Sequence, residues 1–288
     1  MNILVTGANG QLGKSVRKES EGSDDLYIFT DVDELDITDP EAVKKFVHGN
    51  DIDIIVNCAA FTNVDAAEDN EEIANKINGD APGILARSIK EKGGTLIHIS
   101  TDYVFGGAGK NTPLKENQEP SPTGAYGRSK LNGEKEIEKS GTSALILRTA
   151  WLYSDYENNF VEKILSLLKN RDSIKVVFDQ CGTPTYATDL AKAIVDMIEK
   201  RKIKGNEGIY HFSNEGVCSW YDFALAAVEA AGMKDKEILP CHSSEFPSKV
   251  VRPSYSVLDK TKYKETFGRK IPHWHSSLKK CLQQTLKP

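Results

Sequence analysis

The chain has 288 residues, a formal net charge of −5, and 39% hydrophobic and 27% charged residues. That composition belongs to a globular protein able to bury a core without staples, and the acidic balance excludes a sequence-independent grip on DNA or RNA. No stretch approaches the ~18 apolar residues of a transmembrane helix and no leader-like run opens the chain, so a cytoplasmic protein with no membrane and no nucleic-acid polymer as partner is expected.

Asn2 to Thr6 is a short apolar, β-branched run that reads as a buried parallel strand. Gly7, Gly10 and Gly13 follow in a G-x-x-G-x-x-G spacing, and a helical pattern continues to Glu21. Glycines directly after a strand allow a tight turn and close backbone approach, and the helix N-terminus behind them suits a pyrophosphate. Leu26 to Thr30 reads as a second strand ending at Asp31, an acid about 20 residues past the glycines and so placed for ribose hydroxyls. Asp33, Glu34 and Asp36 lie close by, the first two as a solvated turn. Arg17 on the first helix points the other way, towards a 2′-phosphate. Thr38 or Asp39 caps the next helix, with Pro40 in its first turn.

Ile52 to Asn57 is expected as a third strand, with the small residues Cys58 to Ala60 at its end. A helix is expected from about Ala66 to Ile77 and another from about Ala81 to Lys92. A fourth strand delivers Ser100 and Thr101, and Thr142 to Arg148 reads as a fifth. Strands alternating with helices predict an α/β fold: a Rossmann-type doubly wound parallel sheet, with ligands at the carboxyl ends of its strands. The pattern loosens afterwards, with helices at Phe160–Asn170, Asp189–Lys200 and Tyr221–Gly232 and short strands at Ile174–Phe178 and Ile209–Phe212. The expected division is a dinucleotide-binding domain over residues 1–150 and a smaller α/β substrate lobe over 151–288, with the chain crossing between them more than once.

The chemistry concentrates between Leu96 and Lys130. Tyr126 and Lys130 stand four residues apart at a helix start, so they share a face. An ammonium beside a phenol would lower a pKa that normally lies near ~10 and make Tyr126 a usable acid or base. Thr101, at the strand end, would hold a substrate oxygen beside it. A packed tyrosine next to a solvated lysine is the bland alternative, made weaker by the glycine loop and the strand-end threonine. His98, inside an apolar strand, reads as a satisfied core imidazole. The five cysteines form no C-x-x-C pair, which is neither a zinc pattern nor a disulfide framework.

Gly7-x-x-Gly10-x-x-Gly13 with Tyr126-x-x-x-Lys130 resembles the extended short-chain dehydrogenase/reductases. Gly10-Gln11-Leu12-Gly13, Asn57 to Asp65, Ser100 to Phe105, Tyr126 to Glu134, Arg148 to Tyr153 and Arg252-Pro253 resemble, in order, the dTDP-4-dehydrorhamnose reductase family. The resemblance implies NADPH- or NADH-dependent reduction of the 4-keto group of dTDP-4-dehydro-L-rhamnose to dTDP-L-rhamnose, a step towards surface polysaccharide. It implies Thr101, Tyr126 and Lys130 as the catalytic set, with hydride from the nicotinamide and a proton from Tyr126. It implies cofactor contacts at Gly10, Gln11, Leu12, Asp36, Ile37, Ala60, Phe61, Thr62, Thr101, Asp102, Tyr126 and Lys130, beside Gly7, Gly13 and Asp31 from the spacing.

Trp151 is implied at the sugar, with a core aromatic as the alternative. Arg252 is a candidate for the nucleotide diphosphate, with a surface ion pair as the alternative. The family includes members that use magnesium at a subunit contact; those carboxylates do not map onto this chain, and no metal is assigned. A homodimer is a possible assembly. Another nucleotide-sugar epimerase or reductase of the same fold is the nearest rival reading. A non-catalytic NADP-binding regulator, like the regulatory subunit of methionine adenosyltransferase, is the rival from a different class.

Overall fold

A computed structural model describes residues 1–107, 109, 111–156, 159–246 and 248–285. Four βα repeats and a fifth strand build its first half: β1 (Asn2–Thr6), α1 (Gln11–Glu19), β2 (Leu26–Thr30), α2 (Pro40–Gly49), β3 (Ile54–Asn57), then α3 (Val64–Asp69), α4 (Glu71–Asn75) and α5 (Ala81–Glu91), β4 (Thr95–Thr101), α6 (Ala125–Ser140) and β5 (Ser143–Thr149). The second half adds β6 (Leu152–Tyr153), α7 (Phe160–Lys169), β7 (Ser173–Val177), β8 (Cys181–Gly182), β9 (Thr185–Tyr186), α8 (Ala187–Glu199) and β10 (Gly208–His211). It ends with β11 (Cys218–Ser219), α9 (Trp220–Ala230), β12 (Glu237–Cys241), α10 (Thr261–Phe267) and α11 (Trp274–Thr285).

Six strands form one parallel sheet in the order β10-β5-β4-β3-β1-β2. Alternating side chains feed two separate layers, because successive residues of a strand face opposite sides. Ile3 and Val5 pack with Val16 of α1 and with Leu190, Ile194 and Ile198 of α8. Leu4 and Ile55 pack with Val43 and Val47 of α2 and with Leu85 and Ile89 of α5. Both faces are thus covered, which is why the strands read as continuous apolar runs. The order reverses between β1 and β3, and a crevice opens there at the carboxyl ends.

β10 returns from the second half to pair with β5, and α8 covers α1. The remaining part of that half pairs β7 with β12 and packs them on α7 and α9 through Ile164, Leu168, Ile174, Val228 and Ile238. No helix among the described residues is long and apolar enough to cross a membrane.

One expected helix comes out in pieces. The stretch read as Ala66–Ile77 is α3, a break at Asn70 (φ −137°, ψ 47°), α4, and a π-turn over Lys76–Asp80 that leads into α5. The π-turn aims buried Asn78 at the loop after β3. Its side chain accepts from the Phe61 N–H (2.8 Å) and donates to the Phe61 carbonyl (3.0 Å) and to Ser129 (3.1 Å). A π-turn inside a helical run is a common device near functional sites, and here it fixes a loop on the cleft.

Candidate active site

The carboxyl ends of β1, β3, β4 and β5 open into a cleft of about 1700 Å³ shared with the second half of the chain. At one end lies the glycine loop. Gly7 adopts φ +64°, and a Cβ there would come within 2.6 Å of the Ala59 backbone. A Cβ at Gly13 would come within 2.3 Å of the Gly7 carbonyl oxygen. Only glycine fits either place, so the turn is drawn tight against the neighbouring strand. Gly10 caps α1 with no side-chain hydrogen bond, which leaves the first amides of a nine-residue helix facing the cleft for an anion. The cradle fits a dinucleotide pyrophosphate. Gln11 and Leu12 line it, and the Ser154 hydroxyl donates to Gln11 Oε1 at 2.8 Å, tying the loop to the second half.

Of the four acids after β2, Asp31 and Asp36 line the cleft, with Ile37; Asp33 and Glu34 do not. Asp31 accepts from the Asn9 N–H at 2.9 Å, and Glu34 turns back to the Asp31 N–H at 2.8 Å. Asp36 accepts from the hydroxyl and N–H of Thr38, which hold its carboxyl below the usual range. Arg17 is not at the cleft. Its guanidinium lies 4.0 Å from the centre of the Phe29 ring, so the 2′-phosphate contact drawn from its sequence position is not supported. Ala60 and Thr62 line the cleft, whereas Phe61 packs behind it with Ala67, Ala74, Ala125 and Tyr126. Gly13 likewise sits behind the loop.

The floor holds Thr101, Asp102, Tyr126 and Lys130. Thr101 is the last residue of β4, and its Oγ1 caps the turn that follows by accepting from the Tyr103 N–H at 3.2 Å. It also donates to Asp102 Oδ1 at 3.1 Å. Burial pushes Asp102 up to about 6, and its Oδ2 has no partner among the described residues. Tyr126, on the first turn of α6, meets Tyr103 edge-on with ring centres 5.4 Å apart.

The protonation of Tyr126 differs from the expectation drawn from its spacing to Lys130. Burial pushes the phenol pKa up; the Thr101 hydroxyl facing it opposes this, and Lys130 does not enter. Lys130 Nζ instead donates to the Ile99 carbonyl at 2.5 Å and lies 3.4 Å from His98 Nε2. Burial lowers Lys130 to about 8. The i, i+4 spacing puts both side chains on one face, but it does not decide which way the long lysine turns. The phenol therefore stays protonated at neutral pH and holds the proton a donor would give, while a pKa raised away from the working pH makes it a weaker acid.

At the far end, Trp151 adopts φ 49°, a left-handed conformation uncommon for an aromatic residue, and stacks on Trp220 with ring centres 3.6 Å apart. Arg252 lines the cleft and pairs with Asp65 at 3.1 Å. Trp220, Asp65, Tyr103 and Asn78 escaped the reading by spacing. Tyr103 and Asp65 stood inside motifs already noted, whereas nothing local marks Trp220, which starts α9 about 70 residues downstream.

A cradle for a dinucleotide at one end of the cleft and a protonated phenol in mid-floor are what a nicotinamide-dependent carbonyl reductase needs, and the fold and site define that class. Residues 1–287 match the model of the RmlD substrate binding domain family, and the chain belongs to that family. It is 37% identical over 99% of its length to a dTDP-4-dehydrorhamnose reductase of Burkholderia thailandensis, 99% of which is covered. A crystal structure of a dTDP-4-dehydrorhamnose reductase from Clostridium acetobutylicum superposes with a TM-score of 0.93 at 42% identity, covering 98% of this chain and 99% of that one. One from Bacillus anthracis, solved in complex with NADP, superposes equally well at 36% identity, covering 99% of both chains.

Proposed function

We propose that this chain uses NADPH or NADH to reduce the 4-keto group of dTDP-4-dehydro-L-rhamnose, giving dTDP-L-rhamnose. The observation that carries the reading is the buried Thr101 facing the partly buried Tyr126 in the same cleft as a glycine cradle that admits no Cβ. The chain-long similarity to proteins named dTDP-4-dehydrorhamnose reductase supports the substrate.

When bound, the reduced nicotinamide supplies the hydride. Gly7, Gly10, Gln11 and Leu12 would hold the pyrophosphate against the α1 N-terminus, with Gly13 backing the turn; Asp31, Asp36 and Ile37 would hold the adenosine end. Ala60, Thr62 and Asp102 would flank the cofactor, with Phe61 supporting that loop from behind, and Lys130 would meet the nicotinamide ribose. Thr101, its single hydroxyl proton turned from Asp102 Oδ1 to the carbonyl oxygen, orients the sugar and stabilises the growing negative charge. Tyr126 gives that oxygen its proton: the phenol O–H breaks, the alcohol O–H forms, and the phenolate is reprotonated afterwards. Trp151 takes the sugar face and Arg252 the diphosphate. Residues 1–150 act as the cofactor domain and residues 151–288 supply the sugar-nucleotide lobe, with β10 and α8 returned to the sheet. A cytoplasmic location and a homodimer belong to the same reading, and fractionation and light scattering test them.

The deciding experiment supplies NADH and NADPH separately with dTDP-4-dehydro-L-rhamnose and follows loss of nicotinamide absorbance. Sugar-dependent loss is expected, reduced about 10²- to 10⁴-fold in Tyr126→Phe with cofactor binding retained. Cofactor binding without any sugar-dependent oxidation would refute the reading.

A further inference from the structure

Lys130 ends a buried polar row that the mechanism above leaves unused. Thr6, Asn57 and His98 stand side by side in register on β1, β3 and β4, all buried to 1% exposure or less. The Ala59 N–H (3.2 Å) and the Thr6 hydroxyl (2.7 Å) both donate to Asn57 Oδ1. This fixes the amide, so Nδ2 is the atom that faces His98 Nδ1, at 3.0 Å, and it donates. A ring nitrogen that accepts carries no proton, so the hydrogen of the neutral imidazole sits on Nε2. That nitrogen lies 3.4 Å from Lys130 Nζ.

An N–H aimed at an ammonium sets donor against donor. Aimed at a neutral amine, it meets the lone pair. We propose that His98, oriented by Asn57, is a positioning residue for Lys130, meeting its amine form with the Nε2–H and disfavouring its ammonium. The catalytic consequence rests on the function proposed above; the protonation itself does not, because it is measurable without turnover.

The surroundings agree. Burial is the largest influence lowering Lys130, and Glu134 and Cys58 oppose it. His98 is held neutral chiefly by burial. Glu134, one turn further along α6, has its carboxylate taken by Arg148 and Ser100. Tyr126 stands one turn before, and Cys58 follows β3 with its thiol pushed up by burial. Among the described residues only His98 and the Ile99 carbonyl lie within hydrogen-bond reach of Nζ. A lysine that exchanges its proton near neutral pH makes any rate that depends on its charge titrate with it.

The test is nitrogen and carbon NMR of the full-length chain, labelled at histidine and lysine, with Lys130 assigned by its loss in Lys130→Met. The native chain should show His98 as the Nε2–H tautomer across about pH 6 to 9 and Lys130 titrating well below the usual ~10.4. Asn57→Asp keeps the shape but accepts from His98 Nδ1, which turns Nε2 into an acceptor. His98→Gln removes the ring. Each should move the Lys130 midpoint upward by about one pH unit, and the pH–rate profile should move with it, whereas a merely structural role lowers the rate without moving the profile. An Nδ1–H tautomer in the native chain, or an unmoved Lys130 in both variants, overturns the proposal. The tautomer decides it even if a variant does not fold. Correct tautomer and shifts in a chain that reduces no sugar nucleotide would sink the proposed function and leave this inference standing.

Discussion

Replacing Glu134 by Gln tests how the proposed active-site helix is anchored. Glu134 on α6 accepts from Arg148 Nε at 2.9 Å and Nη2 at 2.6 Å, and from the Ser100 hydroxyl at 2.5 Å. The Glu134 and Arg148 side chains are 4% and 2% exposed. Arg148 Nη1 has no partner among the described residues, and the guanidinium lies 4.8 Å from the Phe105 ring centre. An amide keeps the shape of the carboxylate but not its charge, and its NH₂ faces one of the donors it should accept from. Breaking a buried pair from one side leaves an uncompensated charge and costs about 3–5 kcal/mol. At about 2 °C per kcal/mol for a chain of this size, the melting temperature should fall by roughly 6–10 °C. Urea and thermal unfolding measure this directly. The double variant Glu134→Leu with Arg148→Met removes both charges and should recover most of the loss, because two well-packed apolar residues avoid the desolvation that the pair carries. A Glu134→Gln chain that loses less than ~1 kcal/mol, or a double variant weaker than the single, would refute the reasoning. The reductase rate should fall as well, because the same carboxylate holds Ser100 beside Thr101 and steadies the helix bearing Tyr126 and Lys130.

Gly13→Ala should abolish dinucleotide binding and lower stability, since the new Cβ meets the Gly7 carbonyl oxygen at 2.3 Å; fluorescence titration with NADPH reads the first effect and a thermal melt the second. Trp220→Ala removes the ring stacked on Trp151 and should raise the KM for the sugar nucleotide about 5- to 10-fold, the scale of one aromatic contact, while the dissociation constant for the cofactor stays put. A KM within twofold of the native value would take Trp220 out of the substrate site. His211 donates through Nδ1 to the Leu114 carbonyl at 3.1 Å, and burial, helped by the Arg148 charge, holds its pKa down to about 3. The unfolded chain therefore binds a proton that the folded chain refuses between about pH 6.5 and about 3, and stability falls as the pH drops through that window. His211→Gln should flatten the slope of melting temperature against pH there; an unchanged slope would contradict the assignment.

The central sheet was legible in the sequence because a parallel strand covered on both faces must be apolar throughout. β1, β3, β4 and β5 announce themselves in that way, and the glycine loop is legible because Gly7 and Gly13 stand where a Cβ would strike backbone. Tyr126 and Lys130 could be paired because helical spacing is a local property. What spacing cannot carry is the environment. Burial, which depends on chain segments far apart in sequence, pushes Tyr126 up rather than down and turns Lys130 to Ile99 and His98. Arg17 occupies a sequence position suited to a phosphate, yet a neighbouring strand offers it the Phe29 ring instead. The π-turn that aims Asn78, the row from Thr6 to His98, and the meeting of Trp151 with Trp220 exist only after residues as much as about 90 positions apart have been brought together. Sequence alone determined the repeating strand–helix order and the chemical groups at the strand ends, since both follow from short-range sterics and periodicity. Tertiary structure decided which of those groups are dry, which are charged and which touch, because desolvation and hydrogen-bond partnership are set by everything that surrounds a side chain.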